Sequence, residues 1–243
     1  MSRTALVTGG SRGIGAAIAL RLASREGFDV AITYVRDEEA AQEVVRKIEA
    51  AGRRGLALRS DAADAEAAST VVGQVVDRLG SIDILVNNAG IGRLGPVESL
   101  TPADVDEVLD VNVRAVFLVS QAAAARMGRG GRIVSIGSCM TKYVPGPGGT
   151  LYAMSKAALT GLTKALAREL GSRGITANLV HPGPIDTAMN PADGPYAEPQ
   201  KAGTALGRFG SPDEVASMVA YLASDEAAYV TGAELSVDGG HAA

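Results

Sequence analysis

What this chain is short of narrows its chemistry before any motif is read. Cys139 is the single cysteine, so no intrachain disulfide can form. His181 and His241 are the only histidines, and with one cysteine they cannot make up a Cys/His zinc set; any catalysis is expected to be organic, with no metal. Basic residues are scarce too, 23 Lys and Arg against 27 Asp and Glu, for a formal charge of -4 and a pI near 5.3. Nucleic acids and anionic membranes are bound through basic footprints, so neither is an expected partner. No apolar run is expected to approach the roughly 18 residues of a membrane-crossing helix. Met1-Ser-Arg-Thr4 leads straight into a strand-like segment with no room for a signal peptide, which makes a soluble, cytoplasmic protein the expectation. Aromatics are only 4%, whereas 47% of residues are hydrophobic and 30 are glycine. That balance suits tight turns and close helix-to-strand contacts in a parallel α/β sheet. At 243 residues, without an internal repeat, low-complexity tract or linker, a single domain over 1–243 is expected.

Strand-like and helix-like segments alternate along the chain. Thr4 to Thr8 is apolar and β-branched and reads as a buried strand. Gly9-Gly-Ser11-Arg12-Gly13-Ile14-Gly15 follows at once, and then Ala16 to Arg25 with apolar residues at helical spacing. Strand, glycine-rich turn and helix in immediate succession is the context a dinucleotide-binding turn requires. Gly9 permits the tight turn, Gly13 the approach of backbone to phosphates, Gly15 close helix packing, and the helix N-terminus offers N–H groups to the pyrophosphate. The next strand, Phe28 to Tyr34, ends in Val35-Arg36-Asp37. An acid at this point binds a ribose 2′-hydroxyl, whereas Arg36 with Arg12 suits a 2′-phosphate, so NADP(H) is expected over NAD(H). In the competing reading Asp37 caps the helix Glu38 to Ala50 and Arg36 is solvated.

Arg54 to Arg59 is a third strand, ended by Ser60-Asp61-Ala62. Asp61 either accepts a proton from an adenine amine or serves as a cap for the helix that begins near Asp64 and runs through Leu79. The strand Ile82 to Val86 enters Asn87-Asn88-Ala89-Gly90, small residues and amides that let a ligand lie against the backbone. Thr101-Pro-Ala-Asp104 opens a helix expected to run to Met127. Asn112, midway along it, is a residue a helix interior disfavours. Its neighbours Val111, Val113, Ala115 and Val116 lean towards burial, as a break that turns an amide or carbonyl inward; the alternative is a surface position. The strand Gly131 to Ile136 ends at Gly137-Ser138-Cys139-Met140, and Ile175 to Val180 ends at His181-Pro182-Gly183-Pro184-Ile185-Asp186-Thr187. Ligands of open α/β sheets sit at such carboxyl ends. Residues 186–208, with Pro191, Pro195 and Pro199, interrupt the alternation and are expected to form a substrate lid. A helix over Pro212 to Ala223 and a strand over Ala233 to Val237 close the chain.

Tyr152-Ala-Met-Ser-Lys156 follows a Gly/Pro-rich run and precedes the apolar-periodic segment Ala157 to Leu170. At helical spacing Tyr152 and Lys156 share one face. A nearby ammonium favours the phenolate and lowers the phenol pKa, which makes the pair a tunable general acid/base. The plain alternative is a surface pair with the lysine stem over the ring.

With these motifs in order, the sequence resembles the compact, single-domain branch of the short-chain dehydrogenase/reductase family over nearly all its length. The resemblance rests on Thr8 to Gly15, Asn87 to Gly90, Asn112, Ser138, Tyr152 to Lys156 and Pro182 to Thr187. It implies an α/β, Rossmann-type, doubly wound parallel sheet of seven strands and a catalytic set of Asn112, Ser138, Tyr152 and Lys156. Cofactor contacts are implied for Gly9, Ser11, Arg12, Gly13, Ile14, Gly15, Tyr34, Arg36, Asp61, Ala62, Asn88, Ala89, Gly90, Tyr152, Lys156, Pro182, Gly183, Ile185 and Thr187. In the implied mechanism Ser138 and Tyr152 hold a substrate carbonyl oxygen and Tyr152 gives it a proton. Lys156 binds the nicotinamide ribose and keeps the Tyr152 pKa low, while Asn112 holds a water. Within the family the chain is most similar to 3-oxoacyl-[acyl-carrier-protein] reductases and related carbonyl reductases. A ketone, alcohol or acyl-thioester substrate and a homotetramer are implied. Arg129 and Arg173 fall where carrier-docking basic residues sit in the carrier-protein reductases, or else are solvated surface arginines. A non-catalytic nucleotide-binding regulator on the same fold is the alternative.

Overall fold

The apolar runs become strands because each is sandwiched between helices. The computed structural model describes residues 2–243. In it β1 (Thr4–Val7), β2 (Asp29–Tyr34), β3 (Gly55–Arg59), β4 (Ile84–Asn87), β5 (Arg132–Ile136), β6 (Thr176–Pro182) and β7 (Glu234–Val237) form one seven-stranded sheet. The order is β3-β2-β1-β4-β5-β6-β7, and every pairing is parallel. β1, β2, β4, β5 and β6 are buried along their whole length, which is why they read as continuous apolar runs with no alternation. The strand order reverses between β1 and β4, and in such sheets the ligand crevice lies outside the carboxyl ends at that point.

Helices α1 (Gly13–Ser24), α2 (Glu38–Ala50) and α8 (Pro212–Ala223) cover one face, with Ile18, Leu22, Ile48, Val215 and Val219 packed on Val7, Ile32, Val86 and Val134. On the other face α3 (Ala65–Leu79), α5 (Ala115–Arg126) and α6 (Thr150–Leu170) bury Val72, Val75, Val119 and Leu170 against Leu6, Leu85 and Ile133. The two competing readings at Asp37 and Asp61 are resolved at the level of caps. Asp37 accepts from Ala40 N at 2.9 Å and caps α2. Asp64, and not Asp61, caps α3 through Glu66 N and Ala67 N.

The helix expected from Pro102 to Met127 carries the break at Asn112 that its buried reading implied. It is α4 (Pro102–Leu109), a π-turn over Asp110–Arg114 and then α5, with Ala115 N donating to Asp110 O. The extra residue in that turn swings Asn112 inward, to 0% exposure. Its Oδ1 accepts from Ile91 N at 2.9 Å, and its Nδ2 donates to Ile91 O at 2.9 Å and Ser155 Oγ at 3.0 Å. The rod Pro102–Arg126 is also long and apolar enough to cross a membrane by composition alone, a run the sequence reading did not expect. Its apolar face is spent on the sheet, through Val119, Ala123 and Ala124. Asn112→Ala leaves the Ile91 amide and carbonyl without partners, so it is expected to lower the unfolding free energy by roughly 2–4 kcal/mol. Urea unfolding checks this as a lower midpoint at unchanged slope.

Candidate active site

The glycine-rich turn has the geometry its residues demand. Gly9 and Gly13 take φ of +64° and +54°, open to glycine without strain. A Cβ on Gly15 would collide with the Gly9 carbonyl oxygen and Asn88 Nδ2. The turn is tied to its neighbours by three side chains. Thr8 Oγ1 accepts from Asn88 N and Ala89 N, both at 3.0 Å. Asn88 Nδ2 donates to Thr8 O and Gly9 O, and Gly9 N donates to Thr33 Oγ1 at 2.9 Å. Thr8 and Thr33 were not among the expected site residues, although a hydroxyl at a strand end beside a glycine turn is a readable signal. The N-terminus of α1 has no side-chain cap and no acid in its first turn, unlike α2, α3, α4 and α8, so its N–H groups are left for an outside acceptor.

Of Pro182, Gly183, Ile185 and Thr187, Thr187 reaches this turn. Gly183 lies so close to Asp238 that a Cβ would strike its backbone, and Thr187 Cγ2 would be 3.5 Å from a Cβ on Gly13. Ile185 is buried and bridges to Gly210. Arg12 and Arg36 are exposed at the rim, while Ser11 and Ile14 are half-buried. Ala62 lines a cavity of about 20 Å³ with Thr8, Thr33, Ser60 and Ala89. Asp61 is exposed, and one of its oxygens accepts from Ala63 N. Tyr34 turns into the core, only 8% exposed, in the apolar cluster that holds Ala41 and Val44.

Ser138, Tyr152, Lys156 and Asn112 gather at the carboxyl ends of β4 and β5. Ser138, just past β5, is 7% exposed and accepts from Met140 N at 3.2 Å through Oγ. α6 begins at Thr150, ahead of its apolar periodicity, and so carries Tyr152 in its first turn and Lys156 one turn on. Lys156 is 5% exposed. Its Nζ donates to Ile136 O at 2.9 Å and lies 3.0 Å from where a Gly90 Cβ would be, with Asn112 Oδ1 3.3 Å from the same point. Gly90 is thus the gap in which the ammonium sits. Burial pushes the Lys156 pKa down to about 8.

The expected depression of the Tyr152 pKa by Lys156 is not found. Burial lifts the phenol above its ordinary value, and the nearby Ser138 hydroxyl pulls it back only in part. The ammonium is aimed at Ile136 O and does not shift the phenol. A protonated phenol beside a serine hydroxyl is an arrangement that can polarise a carbonyl oxygen and give it a proton.

Arg173 is exposed, as in the surface reading. It donates to Ala124 O and Met127 O and so caps the C-terminal end of α5. Arg129 lies over Gly174. Among the described residues no cluster of His, Cys, Asp and Glu could hold a metal ion.

The comparisons with known proteins agree with this geometry. The sequence model of the family described as enoyl-(acyl carrier protein) reductase matches residues 9–242. A short-chain dehydrogenase from Burkholderia cenocepacia, crystallised in complex with NADP, is 55% identical and superposes with a TM-score of 0.98 over 99% of this chain and 98% of that one. Two curated relatives match nearly end to end. The cyclic-di-GMP-binding biofilm dispersal mediator protein of Escherichia coli is 44% identical, over 98% of this chain and 96% of its own. The 3-oxoacyl-[acyl-carrier-protein] reductase of Staphylococcus aureus is 42% identical, over 99% and 98%. With the glycine turn, the switch-point crevice and the Ser138, Tyr152 and Lys156 set in one sheet, the chain belongs to the short-chain dehydrogenase/reductase family.

Proposed function

We propose that the protein is an NADP(H)-dependent carbonyl reductase and alcohol dehydrogenase, acting on CH–OH groups and their ketones. The observation that carries this is the meeting of a proton-bearing Tyr152 with the Ser138 hydroxyl at the carboxyl end of the sheet, beside an uncapped glycine-rich helix start. The cradle fits a dinucleotide: the α1 N-terminus is uncapped, and a Cβ on Gly13 beside it would meet nothing closer than Thr187 at 3.5 Å. The Burkholderia relative's NADP supports the same cofactor here. When bound, NADPH supplies the hydride. The chain's own residues do the rest. Gly9 to Gly15 and the α1 N-terminus hold the phosphates, Arg12 and Arg36 the 2′-phosphate, and Lys156 the nicotinamide ribose. Asp61 and Ala62 flank the adenine, and Pro182 to Thr187 cover the nicotinamide. Ser138 donates to the substrate carbonyl oxygen, and Tyr152 gives it a proton as negative charge develops there. Asn112 spends both of its side-chain N–H groups on Ile91 and Ser155, so its Nδ2 has no proton left to give a water.

Residues 186–208 act as the substrate lid. Their base is fixed by the bridge of Ile185 to Gly210, and their middle by the reciprocal amide pair of Asn190 and Gln200 around α7 (Ala197–Ala202). The ketone is a 3-oxoacyl thioester or a small cyclic or aryl ketone. The Staphylococcus relative supports the first. The enzyme works as a cytoplasmic homotetramer, with the half-exposed Phe117 of α5 and Met154 of α6 available for subunit contacts.

NADPH oxidation against an acetoacetyl thioester, cyclic ketones and aryl ketones, repeated with NADH, tests this reading. Arg36→Ala is expected to raise the NADPH KM about 10- to 100-fold, the worth of one or two charge-assisted hydrogen bonds, and to leave NADH unaffected. Equal rates with both cofactors in the parent protein would overturn the NADP assignment. A non-catalytic regulatory role has one observation in its favour, the Escherichia coli relative's name. It predicts no turnover of any ketone on the panel.

A further inference from the structure

His181 lies near the end of β6, is fully buried, and has no place in the mechanism above. Its Nε2 is 3.1 Å from Glu234 Oε2. A carboxylate only accepts, so Nε2 carries a proton; Nδ1 faces the Ser138 N–H, the Ser138 carbonyl and the Thr141 hydroxyl, accepting from the N–H in the neutral ring and donating to the carbonyl in the charged one. The Ser138 N–H points at Nδ1 over 3.2 Å. The Ser138 carbonyl, 2.9 Å from the same nitrogen, receives the Thr141 hydroxyl at 3.0 Å. Gly137 makes the approach possible, because a Cβ there would press into the imidazole. Glu234, on β7, extends the chain of contacts to α6. It accepts from Thr160 Oγ1 at 3.0 Å and pairs with Lys164 Nζ at 3.0 Å. The main chain of Ser138 is thus braced, through one buried ring and one carboxylate, against the helix that carries Tyr152.

We propose that His181 and Glu234 are a positioning pair, a strut from the Ser138 backbone to α6 that sets the spacing between the Ser138 hydroxyl and the Tyr152 phenol. Neither touches the reacting atoms. Their effect comes through geometry, since a misplacement of about 1 Å at a catalytic group can cost about 100-fold in rate. The inference rests on the carbonyl-reductase reading, so its test includes a readout that needs no turnover.

Glu234→Ala is the first variant, because that side chain is 21% exposed and its loss leaves the core intact. It is expected to lower kcat about tenfold with the NADPH KM within about twofold. Glu234→Gln, which keeps an acceptor for His181 Nε2, should recover most of the loss. His181→Ala should cost more, and His181→Asn, whose amide can replace Nδ1 opposite the Ser138 N–H, should restore part of it. Hydrogen exchange at the Ser138 amide reads the strut directly. Exchange should be faster in Glu234→Ala and His181→Ala, and near parental in Glu234→Gln and His181→Asn. Parental kcat together with parental Ser138 protection in Glu234→Ala would overturn the strut. A parent protein that reduces no ketone would overturn the functional reading, while the amide exchange still decides the strut.

Discussion

Tyr152→Phe is expected to cut carbonyl reduction by about 10²- to 10⁴-fold, the range lost with a positioned general acid, while NADPH binding stays within about twofold. The substitution removes one oxygen and keeps the ring, which lies beside Gly92 and is half-buried in the first turn of α6. The cradle at Gly9 to Gly15 does not involve the phenol, so cofactor affinity has little reason to change. What is lost is the proton. Burial holds the Tyr152 pKa above its ordinary value, so the phenol is protonated throughout the neutral range and is ready as an acid. Ser138 Oγ, already fixed by Met140 N, remains as a hydrogen-bond donor, but an aliphatic hydroxyl is too weak an acid to replace a phenol. The loss should therefore fall on kcat. NADPH oxidation under saturating ketone measures turnover, and quenching or enhancement of NADPH fluorescence measures binding. Near-parental turnover in this variant would remove Tyr152 from the chemistry.

Much of the fold was legible because parallel strands buried on both faces must be apolar without alternation, as Ala5 to Val7 and Ile84 to Val86 are. The glycine turn was legible for a different reason: only glycine tolerates the backbone at Gly9 and the contact at Gly15, so the sequence is forced to show it. The π-turn at Asn112 was half legible. An asparagine among valines signalled burial, but helical periodicity cannot distinguish one extra residue in a turn from a continuous helix. Two features could not be read at all. The direction of the Tyr152 shift depends on where the Lys156 ammonium points, and spacing along a helix fixes the face and not the aim. His181 and Glu234 are 53 residues apart in sequence and meet only because β6 and β7 are neighbours in the sheet. The partners of Arg173 were hidden for a similar reason: they are carbonyls at the end of α5, which sequence does not place.

Lys156→Met should separate function from stability. Turnover is expected to fall steeply if Lys156, whose ammonium lies beside Gly90, holds the ribose as proposed. The stability of the two proteins should respond differently to pH. A buried lysine is held in its charged form at a cost: its folded pKa is about 8, against 10.5 for the ordinary side chain. Between these values the unfolded chain binds the proton that the folded chain has released, so the parent's stability rises with pH across this window. Below about pH 8 both states are charged and the parent carries the full burial cost; above about 10.5 the cost is gone. Methionine at this position does not titrate. The lost bond to Ile136 O shifts the variant's stability by a pH-independent amount, which the comparison cancels. Relative to the variant, the parent should therefore gain roughly 3 kcal/mol in unfolding free energy between pH 7 and the top of that window. Chemical unfolding at several pH values measures the gap. Two curves that stay parallel would show that the ammonium is not desolvated, and would weaken the case that the fold keeps it there for a ligand.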